Sequence, residues 1–306
     1  MEENKFQFVE LKESAAEHIA APHYSYWKSV FRRFFSSKVV IVMLIIASII
    51  ILMSIIQPMF SGYVPGQNPN INDLSMKYLA PSLEHFFGTD NYGNDLFDAT
   101  WLGTRTSLFI AFAATFITTV IGVIVGAFWG YSKKMDKFML ELYNIVANVP
   151  FTLVVMVLMY VLGRGVSQLI FALSCTSWLS VAYFIRVQVL IIRDREYNLA
   201  SRCLGTPTYK VVIHNILPYL VSVIVTSIAR DVPNYISYEV FLSFLGVGLG
   251  SSDQSLGRMI QNYSNDLTAV PYLFWIPVAV SAIISVSLYV IGQTMADASD
   301  PRTHML

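Results

Sequence analysis

Six stretches of this 306-residue chain are long and apolar enough to cross a hydrocarbon layer, and no other feature narrows its fold so far. A span needs about 20 apolar residues, and within lipid every backbone N–H and C=O must be satisfied inside the segment. The stretches lie near Val39–Ile56, Ser107–Gly130, Phe138–Leu162, Val166–Ile185, Tyr219–Val247 and Tyr272–Ile291. They predict an all-α integral membrane protein with six transmembrane helices. The charged fraction agrees, at 13% against about 25% in an ordinary soluble domain. The fifth stretch contains Arg230, Asp231 and Pro233, and reads either as two pieces or as one kinked helix.

Lys and Arg set the orientation. With the N-terminus inside, fifteen of them fall on the cytoplasmic side and four outside (Lys77, Arg105, Arg164 and Arg258), while Arg230 lies within a span. Both ends are therefore expected in the cytoplasm. The first 37 residues are mostly polar and the first apolar run is longer than a signal core, so a retained anchor is expected rather than a cleaved leader. The resulting division is a cytoplasmic segment at 1–37, a first helix at 38–57 and an extracytoplasmic loop at 58–106. A membrane core follows at 107–295 with a cytoplasmic loop at 187–218, then a tail at 296–306. Tyr24, Trp27, Phe31, Phe34 and Phe35 recur at helical spacing with Lys28, Arg32 and Arg33 between them, the pattern of a helix lying in the interface.

Several classes of function find no support. Net charge is zero, giving no sign of nucleic-acid binding. The five histidines have no ligand spacing on one side of the membrane, so no metal is expected. Cys175 and Cys203 lie at different depths and read as small buried residues rather than a disulfide. No Gly-Lys-Ser/Thr phosphate loop is present, and no serine–histidine or aspartate pair lies within the spans. The chain is therefore expected to be no enzyme and to bind no cofactor of its own.

Two features carry positive information. Gly122, Gly126 and Gly130 recur every fourth residue, placing three side-chain-free positions on one helix face where a neighbour can approach closely. Between spans four and five the sequence has the marks of a short capped helix. Asp194 is read as its N-cap and Glu196 lies in the first turn, where negative charge suits the helix dipole. Tyr197, Ala200, Ser201 and Leu204 form a shallow face; Gly205 can take the left-handed conformation that ends a helix, and Pro207 prevents its resumption. A second short helix is expected over Pro207–Asn215 before Leu217-Pro218 re-enters the membrane. On composition alone this segment could equally be a solvated loop.

Ala200-Ser201, Gly205 and Leu217-Pro218 resemble the signature loop of ABC importer permeases: Glu-Ala-Ala, three residues, Gly, nine residues, a hydrophobic residue, one residue, Leu-Pro. Asn215 occupies the hydrophobic slot. Phe87-Gly88-Thr89-Asp90-Asn91-Tyr92-Gly93-Asn94-Asp95, Glu239-Val240-Phe241-Leu242-Ser243-Phe244-Leu245-Gly246-Val247-Gly248 and Asp297-Ala298-Ser299-Asp300-Pro301-Arg302 extend the likeness to the C-type permeases of dipeptide and oligopeptide importers, the Opp/Ami/Dpp group. Asn94 departs from the usual Arg, Leu256 from the common Trp, and Glu141 and Asn144 from an Arg and an Asp.

The resemblance implies a type I ABC importer permease fold in a bacterial plasma membrane. Its implied partners are a homologous B-type permease, two cytoplasmic ATPases carrying Mg-ATP, an extracytoplasmic peptide-binding protein and the lipid bilayer. Glu196, Tyr197, Ala200, Ser201, Arg202, Gly205, Leu217 and Pro218 would then couple to an ATPase, and Gly88, Thr89, Asp90, Gly93 and Asp95 would form the external motif. Arg230, Asp231 and Glu239 are candidates for the translocation path, or alternatively structural charges; Glu239 is eight residues from Asp231 and could share its face. A nickel permease of the same family and, more remotely, a secondary carrier are the competing readings.

Overall fold

The computed structural model describes residues 26–68, 70, 72–250 and 252–299. Tyr24 and the expected tail residues Asp300, Pro301 and Arg302 lie outside the described residues. The molecule is a bundle of helices: α1 (Tyr26–Phe34), α2 (Lys38–Phe60), α3 (Leu96–Tyr131), α4 (Lys133–Ala147), α5 (Phe151–Leu162), α6 (Val166–Arg193), α7 (Glu196–Cys203), α8 (Thr208–Phe244), α9 (Leu256–Asn262) and α10 (Pro271–Ser299). Five of these, α2, α3, α6, α8 and α10, are each long and apolar enough to span alone.

The third predicted span is broken. Helices α4 and α5 meet at 81°, where the sequence predicted one continuous helix over Phe138–Leu162. Pro150 explains the break: it lacks an N–H and disfavours helical backbone at Val149 before it, so α4 stops at the Asn148 C-cap and α5 starts afresh.

The opposite happens in the fifth span. Arg230, Asp231 and Pro233 do not interrupt α8, nor do Leu217-Pro218 begin a separate helix. Ahead of Pro218 the helix widens into a π segment over Val211–Ile216, where the Leu217 N–H donates to the Val212 carbonyl, and this wider turn makes room for the proline ring. At Pro233 the missing N–H frees the Ala229 carbonyl, against which α10 packs through Gly292.

Helix α3 is the central element and packs most extensively against α6. The glycine repeat makes this contact, with Gly122 facing Val181, Gly126 facing Ala182 and Gly130 facing Val189. Helix α3 also begins at Leu96, well before the predicted Ser107, because Leu96, Ala99, Thr100, Gly103 and Thr104 form a buried face whose polar members mask it in a hydropathy reading. Asp136 of α4 accepts hydrogen bonds from Nε and Nη2 of Arg186 of α6, and that guanidinium lies over the Trp129 and Tyr183 rings, tying α3, α4 and α6 together.

The aromatic stripe of α1 divides. Trp27, Phe31 and Phe35 are exposed, while Phe34 is buried with Val30 against Ala298 and Met295 at the end of α10. Cys175 and Cys203 are free and both exposed, contrary to the expected burial, because each lies on an outward helix face.

Candidate functional site

Helix α7 has eight residues, too few to be stable in isolation, where about 12–15 are needed. Its stability has to come from its ends and its seat. The C-terminal end forms as predicted: Gly205 has φ +77°, its N–H donates to the Arg202 carbonyl at 2.9 Å, and the Thr206 N–H donates to the Ser201 carbonyl at 3.0 Å. These two bonds satisfy carbonyls that the helix would otherwise leave open.

The N-terminal end differs from expectation. Arg195, not Asp194, is the N-cap residue, and no side chain caps the turn. Asp194 is drawn away by Arg193 at 3.0 Å and Arg202 at 3.7 Å, and the Arg193 bonds hold its carboxyl below the usual range.

The seat joins residues already named to others that the sequence reading did not single out: Asn198, Arg193, Tyr131 and Tyr219. Asn198 is fully buried and donates to the Ile192 carbonyl at 2.9 Å, fastening α7 under the end of α6. Arg193 reaches the Gly130 carbonyl, and Arg202 donates to the Tyr131 hydroxyl at 2.8 Å with its guanidinium over that ring. Asn215 donates to Ser201 Oγ at 3.0 Å, and Tyr197 stacks on Tyr219 with ring centroids 5.8 Å apart. The only local signal for any of this was Asn198, which shares a helix face with Tyr197 and Ser201; Tyr131, Asn215 and Tyr219 come from other elements.

The outward face of α7 is consequently only half the predicted one, keeping Ala200 and Leu204 but not Tyr197 and Ser201. Tyr197 and Ser201 turn inward onto α8, whereas Leu199, Ala200, Cys203 and Leu204 face outward. Leu199 is 44% and Leu204 86% exposed, an apolar face that none of the described residues covers. Glu196, Arg202 and Gly205 border it, also exposed. Leu217 is half-buried beside Ile216 and Leu220, and Pro218 is exposed at the first turn after the π segment.

At the other end of the bundle the Gly88–Asp95 motif is a clasp. Asp90 Oδ1 accepts the backbone N–H groups of Tyr92 and Asn94, both at 2.8 Å, and Oδ2 accepts the Tyr263 hydroxyl at 3.2 Å. Thr89 Oγ1 donates to the Met76 carbonyl, and Asp95 caps α3 through the Phe97 N–H while pairing with His85 at 2.8 Å. Gly88 and Gly93 sit in its turns. Beside it lies a polar cavity of about 330 Å³ lined by Tyr63, Asp90, Arg258 and Tyr263 among others. Burial and the nearby Asp90 push the Tyr63 hydroxyl up to about 12.

The three ionisable residues of α8 separate. Arg230 and Asp231 line a cavity of about 630 Å³, with Arg230 Nε 3.7 Å from Asp231 Oδ1. Glu239 does not share that face. It is fully buried and accepts the hydroxyls of Ser107 at 2.7 Å and Ser243 at 2.9 Å, while the Leu256 N–H donates to Ser107 Oγ. Glu239 thus joins α3, α8 and α9. Glu239→Gln, which keeps hydrogen-bonding capacity, is expected to leave transport within about twofold of wild type, whereas Glu239→Leu strands two hydroxyls at about 1–3 kcal/mol each. Uptake measured per assembled complex decides: abolition by Glu239→Gln alone would show that the charge is needed.

Comparison with known proteins places this geometry. Residues 118–305 match the family described as binding-protein-dependent transport system inner membrane component, and residues 25–81 match the N-terminal TM domain of oligopeptide transport permease C. The chain is 53% identical over 304 residues to the oligopeptide transport system permease protein AmiD of Streptococcus pneumoniae, covering 99% of each. It is 36% identical to the oligopeptide transport system permease protein OppC of Bacillus subtilis, over 98% of this chain and 97% of that one. Its similarity to the dipeptide transport system permease protein DppC of the same organism is 34%, over 95% and 90%. Among solved structures, a chain of the MetNI methionine ABC transporter in an inward-facing conformation aligns at TM-score 0.54 and 17% identity, over 65% of this chain and 94% of that one; this likeness is one of fold.

Proposed function

Because this chain belongs to the inner-membrane components of binding-protein-dependent transport systems, within the C-type oligopeptide and dipeptide permeases, we propose that it forms half of the membrane pathway of an ATP-driven oligopeptide importer, driven through α7. It is a multi-pass membrane permease subunit. The names of its relatives favour peptide over nickel as cargo, and membership of the family sets aside the secondary-carrier reading.

In this reading a homologous B-type permease completes the pathway, two ATPases supply Mg-ATP hydrolysis, and an external binding protein delivers the peptide. The α7 end and both chain ends face the cytoplasm, and the Gly88–Asp95 clasp faces outward. One observation supports the coupling role most directly: a short helix, capped at Gly205 and tied to α3, α6 and α8, presents at Leu199, Ala200, Cys203 and Leu204 an apolar face that no described residue covers. A helix so seated cannot shift without moving the ends of three spans. The same face makes a shallow knob for a cleft on a soluble partner.

Crosslinking tests this. With Ala200→Cys in a Cys175→Ser, Cys203→Ser background, a reagent with one thiol-reactive and one photoreactive end is expected to join the permease to a nucleotide-hydrolysing subunit of the purified assembly. Adducts with lipid or solvent alone would sink the proposal.

A further inference from the structure

The 630 Å³ cavity lies in the crook of the broken span, between α6 and α8. Its size is that of a small-molecule site, about 300–1,000 Å³. Helix α8 contributes Ser227, Asp231, Asn234 and Tyr238, which repeat at three- and four-residue intervals and so form one polar face; α6 contributes Thr176, Ser177 and Ser180. Arg230 and Asp231 are its only charged lining residues among those described.

Asp231 sits at the midpoint of Leu217–Phe244, where an ionisable group is expensive unless it meets a partner. Its partnership is incomplete. Arg230 Nε lies 3.7 Å from Oδ1, beyond hydrogen-bond distance, and the Arg230 side chain is 59% exposed with its guanidinium 5.8 Å from the Phe184 ring centroid. Among the described residues, Asp231 Oδ2 is buried and accepts no hydrogen bond, and the buried Ser227 and Thr176 hydroxyls on the cavity wall are likewise unpartnered. The break adds a second, independent contribution. Ala147 and Asn148, at the C-terminal end of α4, line the same cavity, and the negative end of a helix dipole favours a cation.

We infer that Asp231 is the subsite for the N-terminal ammonium of a peptide resting in this cavity during transport. The inference rests on the peptide-importer reading above and adds the feature of the cargo that the membrane subunit itself recognises. An ammonium brings three donors, which Asp231 Oδ2 lacks among the described residues, and a second positive charge beside the partly exposed Arg230; every unmodified linear peptide carries one, whatever its side chains. The surrounding hydroxyl and amide groups suit a peptide backbone and impose no side-chain preference.

The test uses the complete transporter in proteoliposomes, with the binding protein preloaded with either labelled trialanine or N-acetyl-trialanine, and with rates taken per complex retaining its ATPase subunits. Wild type is expected to import trialanine about tenfold faster than the acetylated form, the factor that one charge-assisted contact supplies. Asp231→Asn, close in size and shape, should bring trialanine down to the acetylated rate without changing the latter, and Asp231→Glu should restore part of the difference. Equal effects of Asp231→Asn on both peptides, or no effect on either, overturn the ammonium subsite while leaving peptide import standing. Failure of the wild-type assembly to import either peptide overturns both.

Discussion

Gly205→Val is expected to abolish transport while leaving the protein inserted and assembled. The residue holds φ +77°, where a β-branched side chain is strained by about 1–3 kcal/mol. A Cβ there meets nothing within 4 Å, so the effect comes from the backbone and not from a clash. Relief of that strain breaks the bonds from the Gly205 and Thr206 N–H groups to Arg202 and Ser201, each worth about 1 kcal/mol. An eight-residue helix has no reserve against this, and its last turn carries Ala200, Cys203 and Leu204 of the outward face. The spans, packed elsewhere, lose nothing. Gly205→Asn is the matched control, since Asn tolerates the left-handed conformation, and it should retain most activity. Uptake and ATP hydrolysis measured on the same preparation check the prediction: valine should cost at least about tenfold in uptake. Full uptake by the valine variant would remove the cap from the mechanism.

Gly126→Val is expected to have the largest effect on the folded protein itself. A Cβ at this position would fall against the Ala182 carbonyl oxygen and within 2.9 Å of both Ala182 Cα and Ile185 Cβ. All three belong to backbone or to the base of a side chain, so no rotamer change relieves the overlap, and α3 and α6 must separate. Overpacking alone costs about 1–3 kcal/mol. Here it also opens the main helix contact of the bundle, in lipid, where close packing supplies much of the association energy. We expect the thermal transition of the purified protein to fall by roughly 5 °C or more, with loss of monodisperse material. Ile124→Val, on the exposed side of the same helix, should leave the transition nearly unchanged. Equal stability of the two variants would contradict the packing described for Gly126.

Gly205 and the Gly122–Gly126–Gly130 repeat were legible from the sequence for the same reason. Each depends on what a single residue type permits: positive φ in one case and absence of a side chain in the other. The spans were legible because burial of some 20 apolar residues in lipid is additive along the chain, and their order alone requires alternation between two ends. The errors lie where two local rules compete. Pro150 breaks a predicted span, whereas Pro233 does not, and α10 packs against the carbonyl that Pro233 frees. Asp194 has the composition of an N-cap, but Arg193 and Arg202 compete for it.

The amino-acid order thus determined by itself where the long apolar segments lie, where α7 stops and which helix face would accept a close neighbour, since these follow from local backbone freedom and summed apolar transfer. Only the tertiary structure decided which side of α7 faces outward, because Asn215, Tyr219 and Tyr131 claim its inner face from positions remote along the chain. It likewise separated Glu239, enclosed by Ser107 and Ser243, from Asp231, left short of donors in a cavity. Two acids on one helix acquire different roles because their hydrogen-bond partners arrive from other helices, and the period of a single helix carries no record of what packs against it.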